Sequence, residues 1–248
     1  ATVASSPKDV AENSDFVITI LKDSQVIREV SFGTNGVIHG RHDRLNVADM
    51  STISPIHSKE IYKKYKEYDI PMIDSPVMGG PPLAEKGELV VMAGGDNNII
   101  AKWKPIFETI ATKTYNIGSN GSGHAMKLAM NLQISLLAIS LSEGIILARK
   151  SGLDPLVFLD VLNSTYFKTG MSVNKGPKMA RGAFEPSFYL KMMQKDLDEI
   201  TYTAKEFGAN LPLASLANQI YQNAVKAGMS EIDYTGILSY LESISDKS

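Results

Sequence analysis

Short apolar runs alternate with amphipathic segments through the N-terminal half of the chain, and this pattern constrains the fold more than any other feature. Residues 16–21 (FVITIL) form an unbroken, largely β-branched run, which is typical of a strand buried on both faces. Further strands are expected at residues 46–50, 71–74, 88–93 and 113–117, and helices at 55–68 and 96–110. Strands that alternate with helices predict a mostly parallel α/β sheet.

The pattern changes after residue 117. Three glycines at positions 118, 121 and 123 predict a flexible hinge, and the residues that follow, up to Lys150, contain no proline and have a helical period. Gly152 ends that helix, and Asp154 with the proline after it begins the next one. We therefore expect a long helix over residues 123–150, further helices downstream, and two domains, 1–119 and 120–248.

Composition and charge exclude several classes of protein. The 248 residues carry a net charge of −2 without a dominant basic patch, so nucleic acid is not an expected partner. The absence of cysteine excludes disulfides and thiolate metal sites. The four histidines are scattered without metal-ligand spacing, so we expect no metal site.

The most apolar stretch, residues 132–148, is interrupted by serines, a glutamate and a glycine. We expect it to be a buried core helix, and we expect no membrane partner. The first residues have the pattern of neither a signal peptide nor a transit peptide, and the expected location is the cytoplasm.

A loop at residues 74–80 (DSPVMGG) follows a predicted strand, at the position where open α/β sheets bind ligands. The adjacent Gly79 and Gly80 allow backbone N–H groups to approach an anion closely. A tight turn that needs positive φ explains the same two glycines equally well. The loop alone leaves both interpretations open.

The glycine hinge is followed by Lys127 and Asn131, which are four residues apart and share one face of the predicted long helix. A lysine held near a helix N-terminus beside apolar neighbours can exchange a proton with an alcohol or a carbonyl. A surface lysine on a long helix is the alternative, and the motif taken alone favours that alternative.

Two further patterns complete the set. Lys195 and Asp196 lie in an otherwise apolar helical stretch, residues 188–197, where a solvated charge pair is the ordinary interpretation. Residues 49–55 (DMSTISP) follow the end of a predicted strand.

Together, the four patterns resemble the β-hydroxyacid dehydrogenase family, which includes 3-hydroxyisobutyrate dehydrogenase, tartronate semialdehyde reductase and 6-phosphogluconate dehydrogenase. They occur in the family's order and at about its spacings, over essentially the whole chain. The resemblance implies an incomplete Rossmann-like, mostly parallel sheet domain (1–119), which is the remainder of an NAD(P)-binding domain. A long linking helix and an all-helical domain for substrate binding and oligomerisation (120–248) follow.

The resemblance also implies roles for single residues. Lys127 is the catalytic acid/base, and Asn131 hydrogen-bonds the substrate or orients the lysine. The backbone of Gly79 and Gly80 holds the substrate carboxylate, and Ser75 lies in the same loop.

The remaining implied roles concern the cofactor and the helical domain. Thr52 lies against the cofactor. Lys195 reaches into the site, where it contacts substrate or cofactor, and Asp196 fixes the helix that carries it.

The chain departs from the family at two places. Met78 stands where the family usually has a serine that donates to the substrate carboxylate, so the substrate pocket is expected to be more apolar. The family's first strand, Gly-x-Gly-x-x-Gly turn, helix and second strand, about 45 residues in all, have no counterpart in this sequence. We expect a fragment or a truncated form that is inactive as given, because it lacks the phosphate-binding segment.

The predicted function is therefore hydride transfer between NAD or NADP and a small β-hydroxyacid or its semialdehyde, and the residues that select between the two cofactors are absent. The long helix is apolar over much of its surface, which predicts a homodimer or homotetramer. The main alternative is a non-catalytic, dehydrogenase-like oligomeric scaffold. A different dehydrogenase family with a coincidental glycine hinge would leave three of the four patterns unexplained.

Overall fold

The computed structural model describes residues 2–246 and forms two compact units, Ala1–Ala129 and Met130–Ser248. The strands of the first unit are β1 (Phe16–Thr19), β2 (Asn46–Asp49), β3 (Met72–Asp74), β4 (Val77–Met78), β5 (Leu89–Gly94) and β6 (Ala111–Gly118). Its helices are α1 (Pro7–Glu12), α2 (Ser24–Phe32), α3 (Pro55–Lys66), α4 (Pro81–Ala84) and α5 (Asn97–Ile110).

The long helix α6 (Ser122–Lys150) begins in the first unit and ends in the second. The helices that follow it are α7 (Pro155–Asn163), α8 (Gly170–Asn174), α9 (Gly176–Ala180), α10 (Leu190–Glu206), α11 (Pro212–Lys226) and α12 (Ile237–Ser245). The described residues after the long helix form helices and no strand, as predicted, apart from one isolated bridge between Tyr189 and Asp233.

The six strands form one sheet in the order β1-β2-β3-β5-β4, and β6 pairs with β5. The pairs β1–β2, β2–β3 and β5–β6 are parallel, whereas β5 is antiparallel to β3 and to β4. The predicted class, a mostly parallel Rossmann-like sheet followed by a helical domain, is confirmed. The two-residue strand β4 was not predicted, because a run of that length has no period.

The central strands β2 and β3 are buried on both faces of the sheet, because their successive residues pack into different clusters. Val47 and Met72 belong to one cluster, which contains residues of α2 and α3. Ala48 and Ile73 belong to the other, together with Trp103 of α5. Each fully buried large side chain stabilises the fold by about 1.5–3 kcal/mol. The double-sided burial explains the apolar runs of β2 and β3. For residues 16–21 the expected burial on both faces is wrong: β1 is an edge strand that ends at Thr19, and Ile18 and Ile20 are 40% and 67% exposed.

The first turns of the long helix pack against the sheet because Gly123 has no side chain. A Cβ at this position would lie 2.3 Å from the carbonyl oxygen of Met92 on β5 and 2.9 Å from the carboxylate of Asp74. The predicted border at residue 119 coincides with the end of β6, whereas the compact unit continues to Ala129. This close approach is the physical reason for the ten-residue difference.

The helical unit has its own apolar core, formed by Leu141, Ile145, Leu159, Met179 and Leu238. Polar contacts tie its ends together, since the guanidinium of Arg149 pairs with Glu242 and donates to the carbonyl of Ala180. The predicted start of α7 is confirmed: the side chain of Asp154 accepts a hydrogen bond from the backbone N–H of Leu156.

Among the described residues, one helix is long and apolar enough to cross a membrane by length and composition, the 29-residue α6. Core helices of soluble proteins have the same properties. In its most apolar window 39% of the residues are buried, and Met126, Met130, Leu137 and Leu147 are exposed. The expectation of a core helix without a membrane partner remains a prediction.

Candidate active site

Lys127 lies in the second turn of α6 and is half-buried. Its Nζ donates a 2.8 Å hydrogen bond to the carbonyl oxygen of Val77 and lies 3.2 Å from Sδ of Met78. Both acceptors belong to β4, whose antiparallel pairing with β5 fixes them in place. The structure therefore brings together the lysine and the loop at residues 74–80, which the sequence analysis had treated as separate motifs.

The two glycines of that loop adopt conformations that other residues rarely adopt. Gly79 has φ 141° and Gly80 has φ 71°, and both residues are exposed. A Cβ on Gly79 would also lie 2.8 Å from the side chain of Leu89. The turn leading into α4 thus requires glycine. This supports the turn interpretation, and it leaves the exposed backbone available to an anion.

Ser75 lies in the loop at residues 74–80, as the family resemblance implies, and it is buried there. Its side chain is fully buried, and its hydroxyl has no hydrogen-bond partner among the described residues. Its backbone N–H donates to the carbonyl of Asp49 and links the ends of β3 and β2. Ser75 therefore supports the loop from the protein interior, and its hydroxyl does not reach the surface.

Asp74, the last residue of β3, caps the long helix. Its carboxylate accepts hydrogen bonds from the backbone N–H of Gly121 at 2.6 Å and of His124 at 3.0 Å. A carboxylate at this position satisfies backbone donors that have no partner within the helix, and it interacts favourably with the helix dipole. The end of β3 therefore sets where the helix of Lys127 begins.

His124 completes a cluster that sequence reasoning missed. Its imidazole lies between two carboxylates, with Nε2 3.5 Å from Asp49 and Nδ1 3.8 Å from Asp74, and all three side chains are fully buried. Burial raises the pKa of Asp74, while the charge of His124 and the two backbone N–H donors oppose that rise. The sequence held one signal of this cluster: each of two predicted strands has an aspartate at or near its end, and a histidine lies one turn before Lys127.

Thr52 follows β2, at the carboxyl edge of the parallel strands, and is partly exposed. Its loop is held on both sides: the hydroxyl of Ser51 accepts from the backbone N–H of Leu21, and Ser54 caps α3 by accepting from Ile56. Open α/β sheets bind their ligands at this edge. Hydrogen bonds therefore hold this loop on both sides of Thr52, the residue expected to lie against the cofactor.

In the helical unit, Asn131 and Lys195 meet at one carboxylate. The amide of Asn131 donates to Asp196 at 2.6 Å, and Nζ of Lys195 lies 2.7 Å from the other oxygen of Asp196. Asn131 and Asp196 are both buried, and the side chain of Lys195 is 17% exposed. The pair is therefore not a solvated one, and Asp196 links α10 to α6, in keeping with its expected role in fixing the helix.

The chain combines a Rossmann-like sheet and a helical domain with a lysine held beside a glycine turn. Residues 1–118 match the family described as the NAD binding domain of 6-phosphogluconate dehydrogenase. Residues 121–241 match the NAD-binding domain of NADP-dependent 3-hydroxyisobutyrate dehydrogenase. The chain belongs to the NAD(P)-dependent β-hydroxyacid dehydrogenase family.

Individual relatives agree with this assignment. The chain is 30% identical to the glyoxylate/succinic semialdehyde reductase 2 of Arabidopsis thaliana, over 100% of this chain and 69% of the relative. It is 29% identical to the 2-hydroxy-3-oxopropionate reductase of Escherichia coli, over 98% and 83%. The crystal structure of a 3-hydroxyisobutyrate dehydrogenase from Salmonella typhimurium superposes with a TM-score of 0.86 at 28% identity, covering 95% of this chain and 82% of that one.

The cofactor of the family is NAD or NADP: both domain descriptions name NAD, and the second also names NADP. The residues at the carboxyl edge of the sheet fit such a ligand. Thr52 presents a small polar side chain there, whereas the carboxylates of Asp49 and Asp74, which would repel a phosphate-bearing ligand, are fully buried.

Proposed function

We propose that this protein interconverts a small β-hydroxyacid and its semialdehyde with NAD or NADP, and that Lys127 is the general acid/base. The observation that carries the proposal is the position of Nζ of Lys127, 2.8 Å from the carbonyl of Val77 in the glycine loop of the sheet unit. When bound, the cofactor supplies or accepts the hydride. The membership of the family makes the alternative of a non-catalytic scaffold the less favoured one.

The task of Lys127 in this reaction is to hold and move one proton. In the reducing direction Nζ gives a proton to the carbonyl oxygen of the substrate, and in the oxidising direction it accepts the hydroxyl proton. The contacts with Val77 and Met78 keep the ammonium group at a fixed position while the substrate enters. Positioning of this kind lowers the entropic part of the barrier.

We propose that the exposed backbone of Gly79 and Gly80 binds the substrate carboxylate. Met78 precedes the two glycines and presents a thioether where the family usually presents a serine hydroxyl. Loss of a hydrogen bond to a charged group costs about 1.5–3 kcal/mol. Substrates that bind through apolar groups as well as a carboxylate should therefore bind more tightly than small hydrophilic ones.

Further roles follow from the family resemblance. We propose that Thr52 lies against the cofactor and that Asn131 orients Lys127 or hydrogen-bonds the substrate. Lys195 contacts substrate or cofactor in this proposal, and its bond to Asp196 supports a fixed orientation. Ser75, buried beneath the loop, supports the substrate site through the backbone.

We further propose that the protein acts as a homodimer or homotetramer in the cytoplasm. The support for the oligomer is the set of exposed apolar residues on α6, which includes Leu137 and Leu147, the latter 70% exposed.

Replacement of Lys127 tests the proposed function. In the polypeptide expressed from its complete coding region, Lys127→Ala should lower kcat for a panel of semialdehydes by about 10²- to 10⁴-fold, the range for loss of a general acid/base. Lys127→Arg should fail too, because a guanidinium does not release its proton at usable pH. Lys104→Ala, which removes an exposed lysine of α5, is the matched control and should leave kcat unchanged. Near-normal turnover of Lys127→Ala would overturn the assignment.

A further inference from the structure

The buried cluster of Asp49, Asp74 and His124 is not explained by the proposed chemistry. Its three members come from the ends of β2 and β3 and from the first turn of α6. Each side chain has an exposed fraction of 0%. Two carboxylates enclosed in this way destabilise the fold unless they are compensated, because burial removes their hydration.

Each carboxylate also fixes a segment of the site. Asp74 caps the helix that carries Lys127, through the N–H groups of Gly121 and His124. Asp49 accepts hydrogen bonds from the hydroxyl of Thr19 at 2.9 Å and from the backbone N–H of Ser51 at 3.2 Å. Ser51 directly precedes Thr52. One cluster therefore reaches the segment that carries Thr52 and the helix that carries Lys127.

The packing around the cluster leaves no room for rearrangement. A Cβ on Gly94 or on Gly123 would lie 2.9 Å from the carboxylate oxygens of Asp74. The ring nitrogens of His124 and one oxygen of Asp49 have no hydrogen-bond partner among the described residues. The imidazole therefore packs between the two carboxylates, 3.5 and 3.8 Å from their nearest oxygens, without a directional bond.

We propose that His124 is a positioning residue. Its imidazole ring, enclosed between Asp49 and Asp74, holds the two aspartates in place, so that Asp74 fixes the start of α6 and thereby Lys127, and Asp49 fixes the turn before Thr52. This inference rests on the proposed function of Lys127.

The cluster predicts a pH dependence that a purely structural contact would not show. The titratable groups that face Asp74 are His124 on α6 and Asp49 on β2, while β5 presents Gly94, which has no side chain. Burial raises the pKa of Asp74, and His124 opposes the rise. Removal of the imidazole therefore moves the protonation of Asp74, and with it the acid limb of the rate, to higher pH.

The test compares His124→Gln with the wild-type protein from its complete coding region. We expect kcat to fall about tenfold or more, KM for cofactor and substrate to change by less than about twofold, and the acid limb of kcat to move to higher pH. Asp74→Asn should lower kcat similarly and should remove that part of the acid limb, because residue 74 no longer titrates. If His124→Gln does not fold, Asp74→Asn alone tests the proposal.

His42→Gln is the matched control. His42 is a partly buried histidine of the same unit whose Nε2 contacts the carbonyls of Ala11 and Ser14, and its replacement should leave kcat and the pH profile unchanged. If His124→Gln and Asp74→Asn lower only the melting temperature and leave kcat and the acid limb as in the wild type, the positioning role is overturned. If Lys127→Ala keeps its activity, the proposed function fails instead, so the two failures are distinguishable.

Discussion

Each of the two units buries an aspartate where segments of the chain meet, Asp233 in the helical unit and Asp74 in the sheet unit. The pKa values of these two aspartates are shifted in opposite directions. Asp233 in the helical unit is 1% exposed and accepts hydrogen bonds from Nζ of Lys175 at 2.8 Å, from the backbone N–H of Ser187 at 2.9 Å and from the hydroxyl of Thr235 at 2.7 Å. Burial acts to raise the pKa of Asp233, but these donors and the charge of Lys175 outweigh it, and the pKa is lowered.

Asp74 in the sheet unit has two backbone donors and a histidine at 3.8 Å, and its pKa is raised. The ionised carboxylate of Asp233 thus stabilises the folded state at neutral pH, whereas that of Asp74 destabilises it. Costly buried charges are retained where they serve function, and Asp74 lies at the start of the helix that carries Lys127. Asp233 therefore stabilises the fold, and we propose that Asp74 is retained because it organises the candidate site.

The largest expected effect is on the helical unit. Asp233→Ala leaves Lys175 and several donors without their acceptor, and removal of one partner of a buried pair costs about 3–5 kcal/mol. Urea unfolding measures the loss. Asp246→Ala is the control, since its pair with Lys150 is exposed and contributes less than about 1 kcal/mol. A loss for Asp233→Ala no greater than that of the control would remove the basis of the comparison.

A smaller effect separates the two clusters through one hydroxyl each. Thr19 donates to Asp49 at 2.9 Å, and Thr235 donates to Asp233 at 2.7 Å. Thr19→Val should cost about 1.5–3 kcal/mol, because Asp49 has few other donors, whereas Thr235→Val should cost about 1 kcal/mol, because Asp233 keeps Lys175 and Ser187. Chemical denaturation of the two variants checks the order. Equal costs would mean that the number of donors does not decide the stability of these carboxylates.

The smallest expected effect is an opposite response to pH. The lowered pKa of Asp233 gives stability that is present above the usual aspartate value of 3.8 and is lost as pH falls through the folded value. The raised pKa of Asp74 works in reverse: stability is highest below 3.8 and falls as pH rises through the folded value.

These signs translate into a measurement on two matched variants, Asp74→Asn and Asp233→Asn. Relative to the wild type, Asp74→Asn should gain stability as pH rises from about 4 to 7, and Asp233→Asn should lose its disadvantage only below about pH 4. Unfolding curves across this range give both slopes. Parallel slopes for the two variants would contradict the assignment of opposite pKa shifts.

Much of the candidate site was predictable from sequence, because its members occur in local patterns. Lys127 and Asn131 are one helical turn apart, and Gly79 and Gly80 occupy the positive-φ turn that their sequence requires. The burial of Ser75 and the position of His124 were missed. Both depend on neighbours that approach from distant parts of the chain, and a serine in a loop or a histidine at a helix start carries no local sign of them.

The sequence by itself determined the elements and their order: the long helix runs from Ser122 to Lys150, one residue from its predicted start, because apolar period, glycine and proline act over a few residues. Only the tertiary structure decided which residues of the site contact one another. The bond from Lys127 to Val77 spans 50 positions of the chain, and so does the bond from His124 to Asp74. Such contacts exist because Gly94 and Gly123 let a helix approach the sheet edge closely, and that distance is set by packing in three dimensions.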